Sequence, residues 1–231
     1  MTFSTTALLG ALLCGLLALL LAPLVFRIPQ RLTQQWVREI NEYTDMELSG
    51  LQPEASPLSR PQAALLIAAA ALLSYAALAI KGLNPEGVAL SLYFLGMLLL
   101  VAINIKVLLL PDIVVQPMLW AGLLYHAYAG SAPAHIYGAA IGYLAPFLLA
   151  LLMQKLARSE FLGRGDFKAM AMAGAWLGAA GMPLFFAGFV AGFVVWATAV
   201  WLARNKARCF VSTGPAHLAG ALTAVFTPLL A

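Results

Sequence analysis

Two aspartates stand out in a chain that carries little charge. Asp112 follows Leu110-Pro111, and Asp166 closes the string Gly163-Arg164-Gly165-Asp166, with Phe167 and Lys168 next. Carboxylates in pairs do acid–base work: when two share a proton, one activates water while the other protonates a leaving group. A carboxylate at the start of a helix also has a plainer use, bonding free amides and complementing the helix dipole. For either aspartate alone both readings stand. Glycines at 163 and 165 permit positive φ and close approach of another chain. Lys106 and Lys168 lie near the two aspartates in the sequence. Each could stabilise a carboxylate or a developing oxyanion, but a lysine snorkelling on the positive face of the membrane is the favoured reading.

The elements that must hold these residues follow from composition. Of 231 residues, 63% are apolar and 10% charged, 13 basic and 9 acidic. Soluble domains carry about a quarter charged residues, so a water-facing surface cannot be assembled here. High apolar and aromatic content excludes disorder, and continuous apolar runs exclude the alternation of a β-barrel. The expected fold is all-α and polytopic, with spans of roughly 20 residues. Apolar runs at 7–26, 63–80, 88–103, 113–129, 135–153, 168–180, 184–203 and 214–230 suggest about eight transmembrane helices.

Turn chemistry separates several runs, at 81–87, 130–133 and 181–183. The other connections carry the charge. Twelve of the thirteen basic residues fall on one face, and Lys81 alone on the other. That face is therefore cytoplasmic, both termini lie outside, and the net charge of +4 gives no case for nucleic acid. Arg27 and Arg31 follow the first apolar run. A secretory signal has its positive charge before that run, so it reads as a retained helix. Residues 1–62 form this helix and a cytoplasmic loop, in which 36–43 suits a short amphipathic surface helix. Residues 63–231 form the membrane-embedded core.

Cys14 and Cys209 make no Cys-x-x-Cys pair, and His126, His135 and His217 are scattered along the chain. No metal site or disulfide framework can be argued from them. The pairs Gly138/Gly142, Gly174/Gly178 and Gly188/Gly192 put small residues four apart, suited to close helix packing. Pro117 and Pro146 suit helix kinks, and the tryptophans read as packing or interface aromatics.

The order Leu110-Pro111-Asp112, then about fifty residues, then Gly163-x-Gly165-Asp166-x-Lys168 and Gly174-Ala175-Trp176-Leu177-Gly178 resembles the type IV prepilin peptidases. These are intramembrane aspartyl proteases of the Gly-x-Gly-Asp type. The resemblance runs from about residue 88 to Gly214-Pro215, and Arg27-Ile28-Pro29 fits it too. It implies that Asp166 is one catalytic aspartate and that the other stands eight residues before Asp112. That position holds Asn104, after Ile103. Asp112 is not its replacement, because the family has an aspartate there as well.

Asparagine keeps the shape of aspartate and does not titrate near neutrality. The acid–base contribution of such a group, ~10²–10⁴-fold, goes with it. The chain as written is therefore expected to fold, bind substrate and be nearly inactive. Many family members also methylate the new amino terminus through a loop with two Cys-x-x-Cys pairs. Residues 27–62 contain no cysteine, so peptidase chemistry alone is expected, without a cofactor.

The resemblance implies prepilin or pseudopilin substrates in the bacterial inner membrane, serving type IV pili or type II secretion. Each would have a short basic leader, a Gly–Phe-type junction and an apolar helix in the bilayer. The site would lie at the cytoplasmic face, between Asn104 at the inner end of the third span and Asp166 at the start of the sixth. Asp112, Gly163, Gly165, Lys106 and Lys168 would support it. Two other functions fit the same residues: a non-catalytic pilin-binding protein, and a transporter using Asp166 for proton coupling.

Overall fold

The computed structural model describes residues 5–43, 56–157, 162–204 and 210–229. Cys209, Arg158, Glu160, Lys206, Arg208 and residues 44–55 of the first connection lie outside the described residues. Among the described residues the chain is all helical: α1 (Thr5–Leu21), α2 (Leu24–Tyr43), α3 (Arg60–Lys81), α4 (Pro85–Val107), α5 (Asp112–Tyr128), α6 (Ala132–Ala157), α7 (Arg164–Ala203) and α8 (Gly214–Phe226).

Among the described residues, five helical stretches are long and apolar enough to cross a bilayer: 7–37, 60–81, 85–107, 132–156 and 164–203. Large side chains such as Leu12, Leu20, Leu65, Leu144, Leu148 and Val195 stand exposed along them. Lipid is the solvent in which such a surface is stable. This is a multi-pass membrane protein.

The spans differ from the sequence expectation at three points. The first apolar run ends at Leu21, and after Pro23 the chain resumes as α2, so the connection expected from residue 27 begins as a helix. Pro23 lacks the amide needed to continue α1 and sits where a new helix loses nothing by its absence. The surface helix expected at 36–43 is the tail of α2, which buries Val25 and Ile28 and exposes Arg27 and Arg31.

The sixth and seventh runs form one element, α7, broken at Gly178 instead of at 181–183. Gly178 has φ 69° and ψ 171°, a region that only glycine enters at little cost. The third difference is length: the run expected at 214–230 is α-helical only over the 13 residues of α8, short of a perpendicular crossing, and Thr227–Leu229 continue it as a 3-10 turn.

Two compact units divide the chain, Met1–Pro111 and Asp112–Ala231. In the first, α3 packs on α1 and on α4. The turn between α3 and α4 is fixed by Gly82 at φ 82° and by Asn84, whose side chain accepts from the Gly87 amide at 2.9 Å. α4 is apolar around its circumference and buries Tyr93, Phe94, Met97, Leu100 and Ile103, as an interior helix should.

In the second unit α7 packs on α5, α6 and α8. A Cβ on Gly138 or Gly174 would collide with the backbone of the other, and one on Gly142 with the Met170 carbonyl. Gly188 and Gly192 meet α8 in the same way, against Thr223 and Ala219. Small residues thus let the helices approach closely, as the four-residue spacing suggested. Gly178 is the exception, since it makes the break.

α7 doubles back at that break. Asp166 near its start bonds Thr213, and Trp196 on its second leg donates to Ser212 at 3.0 Å. Met170, Ala173, Met182, Phe185, Phe189, Ala216 and Ala224 fill the space between the legs and α8.

Candidate active site

The start of α7 is built around Asp166. Gly163 is the N-cap and Asp166 the third helical residue, with Oδ2 accepting from the Gly163 amide at 3.0 Å. This is the returning half of a capping box, the acid three residues into the helix bonding the cap's backbone. The glycines do not use the positive φ that their type permits. Gly163 is extended at φ −76°, and neither it nor Gly165 has positive φ. A Cβ on Gly163 would lie 3.4 Å from Asp166 Oδ2, an ordinary contact.

Capping accounts for one oxygen of Asp166. The other, Oδ1, accepts from the Thr213 hydroxyl at 2.6 Å. Thr213 is itself the N-cap of α8, yet its hydroxyl makes no capping bond there. A threonine cap ordinarily contributes about 1 kcal/mol to its helix. Here the hydroxyl is directed to a buried carboxylate 47 residues earlier. The Trp196–Ser212 bond holds the strand of chain from which Thr213 projects.

Behind Oδ1 lies His217, one turn into α8 and 1% exposed. Its Nδ1 is 3.0 Å from the Thr213 carbonyl, and its Nε2 is 3.8 Å from Asp166 Oδ1. The rings of Phe189 and Phe185 meet the imidazole at centroid distances of 4.9 and 6.3 Å. Neither Thr213 nor His217 was singled out from the sequence as a site residue. The available signal was the Gly214-Pro215 that ends the family resemblance and flanks both.

The other expected residues are placed as follows. Asp112 opens α5, with its side chain half exposed, and its Oδ2 is 2.6 Å from Lys168 Nζ. Lys168 thus has a carboxylate as its partner. In the first unit, Asn104 is buried near the end of α4 and its Nδ2 donates to the Leu109 carbonyl at 3.4 Å. The helix ends there because Leu108 turns left-handed, at φ 57° and ψ 19°. Lys106 Nζ reaches the Ser56 hydroxyl at 3.4 Å.

A cavity of about 480 Å³ opens beside the Gly163 cap, lined by Tyr143, Phe147, Gln154, Leu162, Arg164 and Phe167 among others. Its aromatic wall is ordered: the Phe167 ring meets Tyr143 and Phe147 edge-on, at 6.2 and 5.9 Å. Among the described residues no three His, Cys, Asp or Glu side chains gather as metal ligands would.

Residues 91–203, which contain Asn104, Asp112 and Asp166, match the model of the type IV leader peptidase family. Those residues carry the domain of that family. It is similar to proteins named prepilin leader peptidase/N-methyltransferase in several bacteria. With that of Burkholderia pseudomallei (strain K96243) it shares 34% identity over 167 residues, 70% of this chain and 53% of the relative. With that of Escherichia coli (strain K12) it shares 34% over 129 residues, 55% of this chain and 57% of the relative. With that of Dickeya chrysanthemi it shares 41% over 86 residues, 36% and 30% respectively. The chain thus spans about half or less of the length of these leader peptidase relatives. No solved structure matches it.

Proposed function

We propose that this chain is a leader peptidase of prepilins or pseudopilins, in the inner membrane, that uses Asp166 as its reacting carboxylate at the cytoplasmic face. The observation that carries the reading is the environment of Asp166. It is buried at the start of α7, in the Gly-x-Gly-Asp string of the matched domain, and both its oxygens are fixed. Fixing the carboxylate aligns it before substrate arrives, and that ordering lowers the barrier. The cavity beside Gly163 gives an apolar side chain next to the scissile bond a place to bind.

By the family resemblance, position 104 corresponds to the second carboxylate. The attack needs one group to take a proton from water and another to give one to the departing amide. Asn104 can do neither, so the chain as written binds prepilin and leaves it uncut. The reading is tested by incubating the purified full chain, and Asn104→Asp, with a prepilin carrying a basic leader and an apolar helix. Cleavage by Asn104→Asp alone, abolished by adding Asp166→Ala, is the expected result. An Asn104→Asp protein that binds the prepilin and never cuts it overturns the peptidase reading.

A specific contact favours a second reading, a pilin-binding protein without catalysis. Asn104 donates its amide hydrogen to the Leu109 carbonyl, a bond that an aspartate makes only when protonated. Under that reading the carboxamide is the working residue at 104. Asn104→Asp would then weaken the end of α4 and give no cleavage.

A further inference from the structure

We propose that His217 is a positioning residue for Asp166, and that Nε2 of the imidazole and Oδ1 of the carboxylate hold one proton between them. The inference rests on the reading of Asp166 as the reacting carboxylate. It names a partner for that group which lies outside residues 91–203 of the matched family domain.

The tautomer is decided by Thr213. His217 Nδ1 faces the Thr213 carbonyl at 3.0 Å. A carbonyl only accepts, so Nδ1 carries the hydrogen. A neutral ring then has a bare lone pair at Nε2. That atom is buried, has no hydrogen-bond partner among the described residues, and lies 3.8 Å from Asp166 Oδ1. Two bare acceptors facing each other out of water are unfavourable. A single proton removes the conflict, whether on nitrogen as imidazolium beside carboxylate, or on oxygen as carboxylic acid beside imidazole. Nothing else is consumed or released.

The surroundings leave this pair to itself. α8 carries no other ionisable side chain, and the second leg of α7 presents Phe185 and Phe189. On the first leg Arg164 is exposed and Lys168 is paired with Asp112. Thr213 ties the two groups together, its hydroxyl donating to Oδ1 and its carbonyl accepting from Nδ1. His217 is too buried to touch a substrate. It acts through Asp166, fixing Oδ1 from behind and leaving Oδ2 as the oxygen that faces its helix cap.

Two arms test the proposal on the full chain. In the Asn104→Asp background, His217→Leu keeps the packing and loses the proton, whereas His217→Gln keeps a donor that does not titrate. His217→Leu is expected to lower kcat about tenfold or more with KM within about twofold. His217→Gln is expected to recover part of that rate with an altered pH profile. Unchanged kcat and pH profile in both variants overturns the proposal.

The second arm needs no cleavage: nitrogen NMR of histidine-labelled protein, as written and as Asp166→Asn. Removing the carboxylate is expected to change the His217 Nε2 resonance and leave Nδ1, bonded to the Thr213 carbonyl, as it was. Unchanged Nε2 resonances overturn the proposal. If Asn104→Asp never cleaves, the peptidase reading falls and this arm still decides the pairing.

Discussion

Lys168 Nζ lies 2.6 Å from Asp112 Oδ2, joining the first turn of α7 to the first residue of α5. The two aspartates that could do chemistry therefore live in different surroundings. Asp112 is half exposed and neutralised by a lysine, whereas Asp166 is buried and held by neutral donors. Side chains placed alike, at helix starts after glycine or proline, are sorted by their neighbours into a surface ion pair and a candidate reacting group.

From this follows a difference in sensitivity. Exposed ion pairs contribute about 0.2–1 kcal/mol. Asp112→Ala and Lys168→Met, each made on Asn104→Asp, are expected to weaken cleavage slightly and equally, and the double variant to be no worse than either. Asp166→Ala is expected to abolish it. Steady-state kinetics on the four proteins checks this, and equal abolition by Asp112→Ala would mean that the aspartates are assigned wrongly.

Thr213 gives a sharper contrast, because its hydroxyl serves Asp166 and not its own helix. Hydrogen bonds to charged groups are worth about 1.5–3 kcal/mol. Thr213→Val on the Asn104→Asp background is expected to lower kcat roughly ten- to hundredfold, while Thr213→Ser retains the rate. Thermal unfolding should fall modestly with Thr213→Val, because a buried carboxylate loses a donor, and hold with Thr213→Ser. A large stability loss with unchanged kcat would make Thr213 a structural cap after all.

The sequence was legible where one dominant force acts. Apolar runs give helices in a membrane, and the Gly-x-Gly-Asp string locates the start of α7. It was less legible where neighbours decide. Pro23 and Gly178 both break helices, yet the proline only interrupts α1 and α2 while the glycine folds α7 back on itself. The expected turn at 181–183 contains a proline, but Pro183 sits inside the helix, and the reversal needs the positive φ that Gly178 supplies. Thr213 and His217 were illegible for another reason: they reach Asp166 across 47 and 51 positions, and no periodicity encodes a contact at that range.

Close packing of α6 on α7 makes its own prediction. A methyl group on Gly138 would strike the Gly174 carbonyl and the backbone at Gly178. Backbone cannot rotate aside as a side chain can, so the helices must separate. Overpacking of this kind costs about 1–3 kcal/mol. Gly138→Ala is expected to lower the unfolding midpoint of the detergent-solubilised protein, and Gly138→Val to lower it further. Equal stability of all three proteins would show that the helices do not meet at this crossing.

Gly178 is a harder position still, because two independent penalties coincide there. Its φ of 69° with ψ of 171° lies in a region that side chains avoid, at a cost of order 1–3 kcal/mol. In addition, an added Cβ would come within 3.3 Å of the His135 ring. That ring is not free to yield: its Nδ1 is bonded to the Ala175 carbonyl at 3.1 Å, and its face stacks on His126 at 3.3 Å. Gly178→Ala is therefore expected to destabilise the fold more than Gly130→Ala, whose glycine also has positive φ but has open space around it. Adding His135→Ala removes the steric share of the penalty and leaves the backbone share. The double variant should then lose less than the two single losses added together. Strict additivity in chemical or thermal unfolding would mean that the ring and the break in α7 do not press on each other.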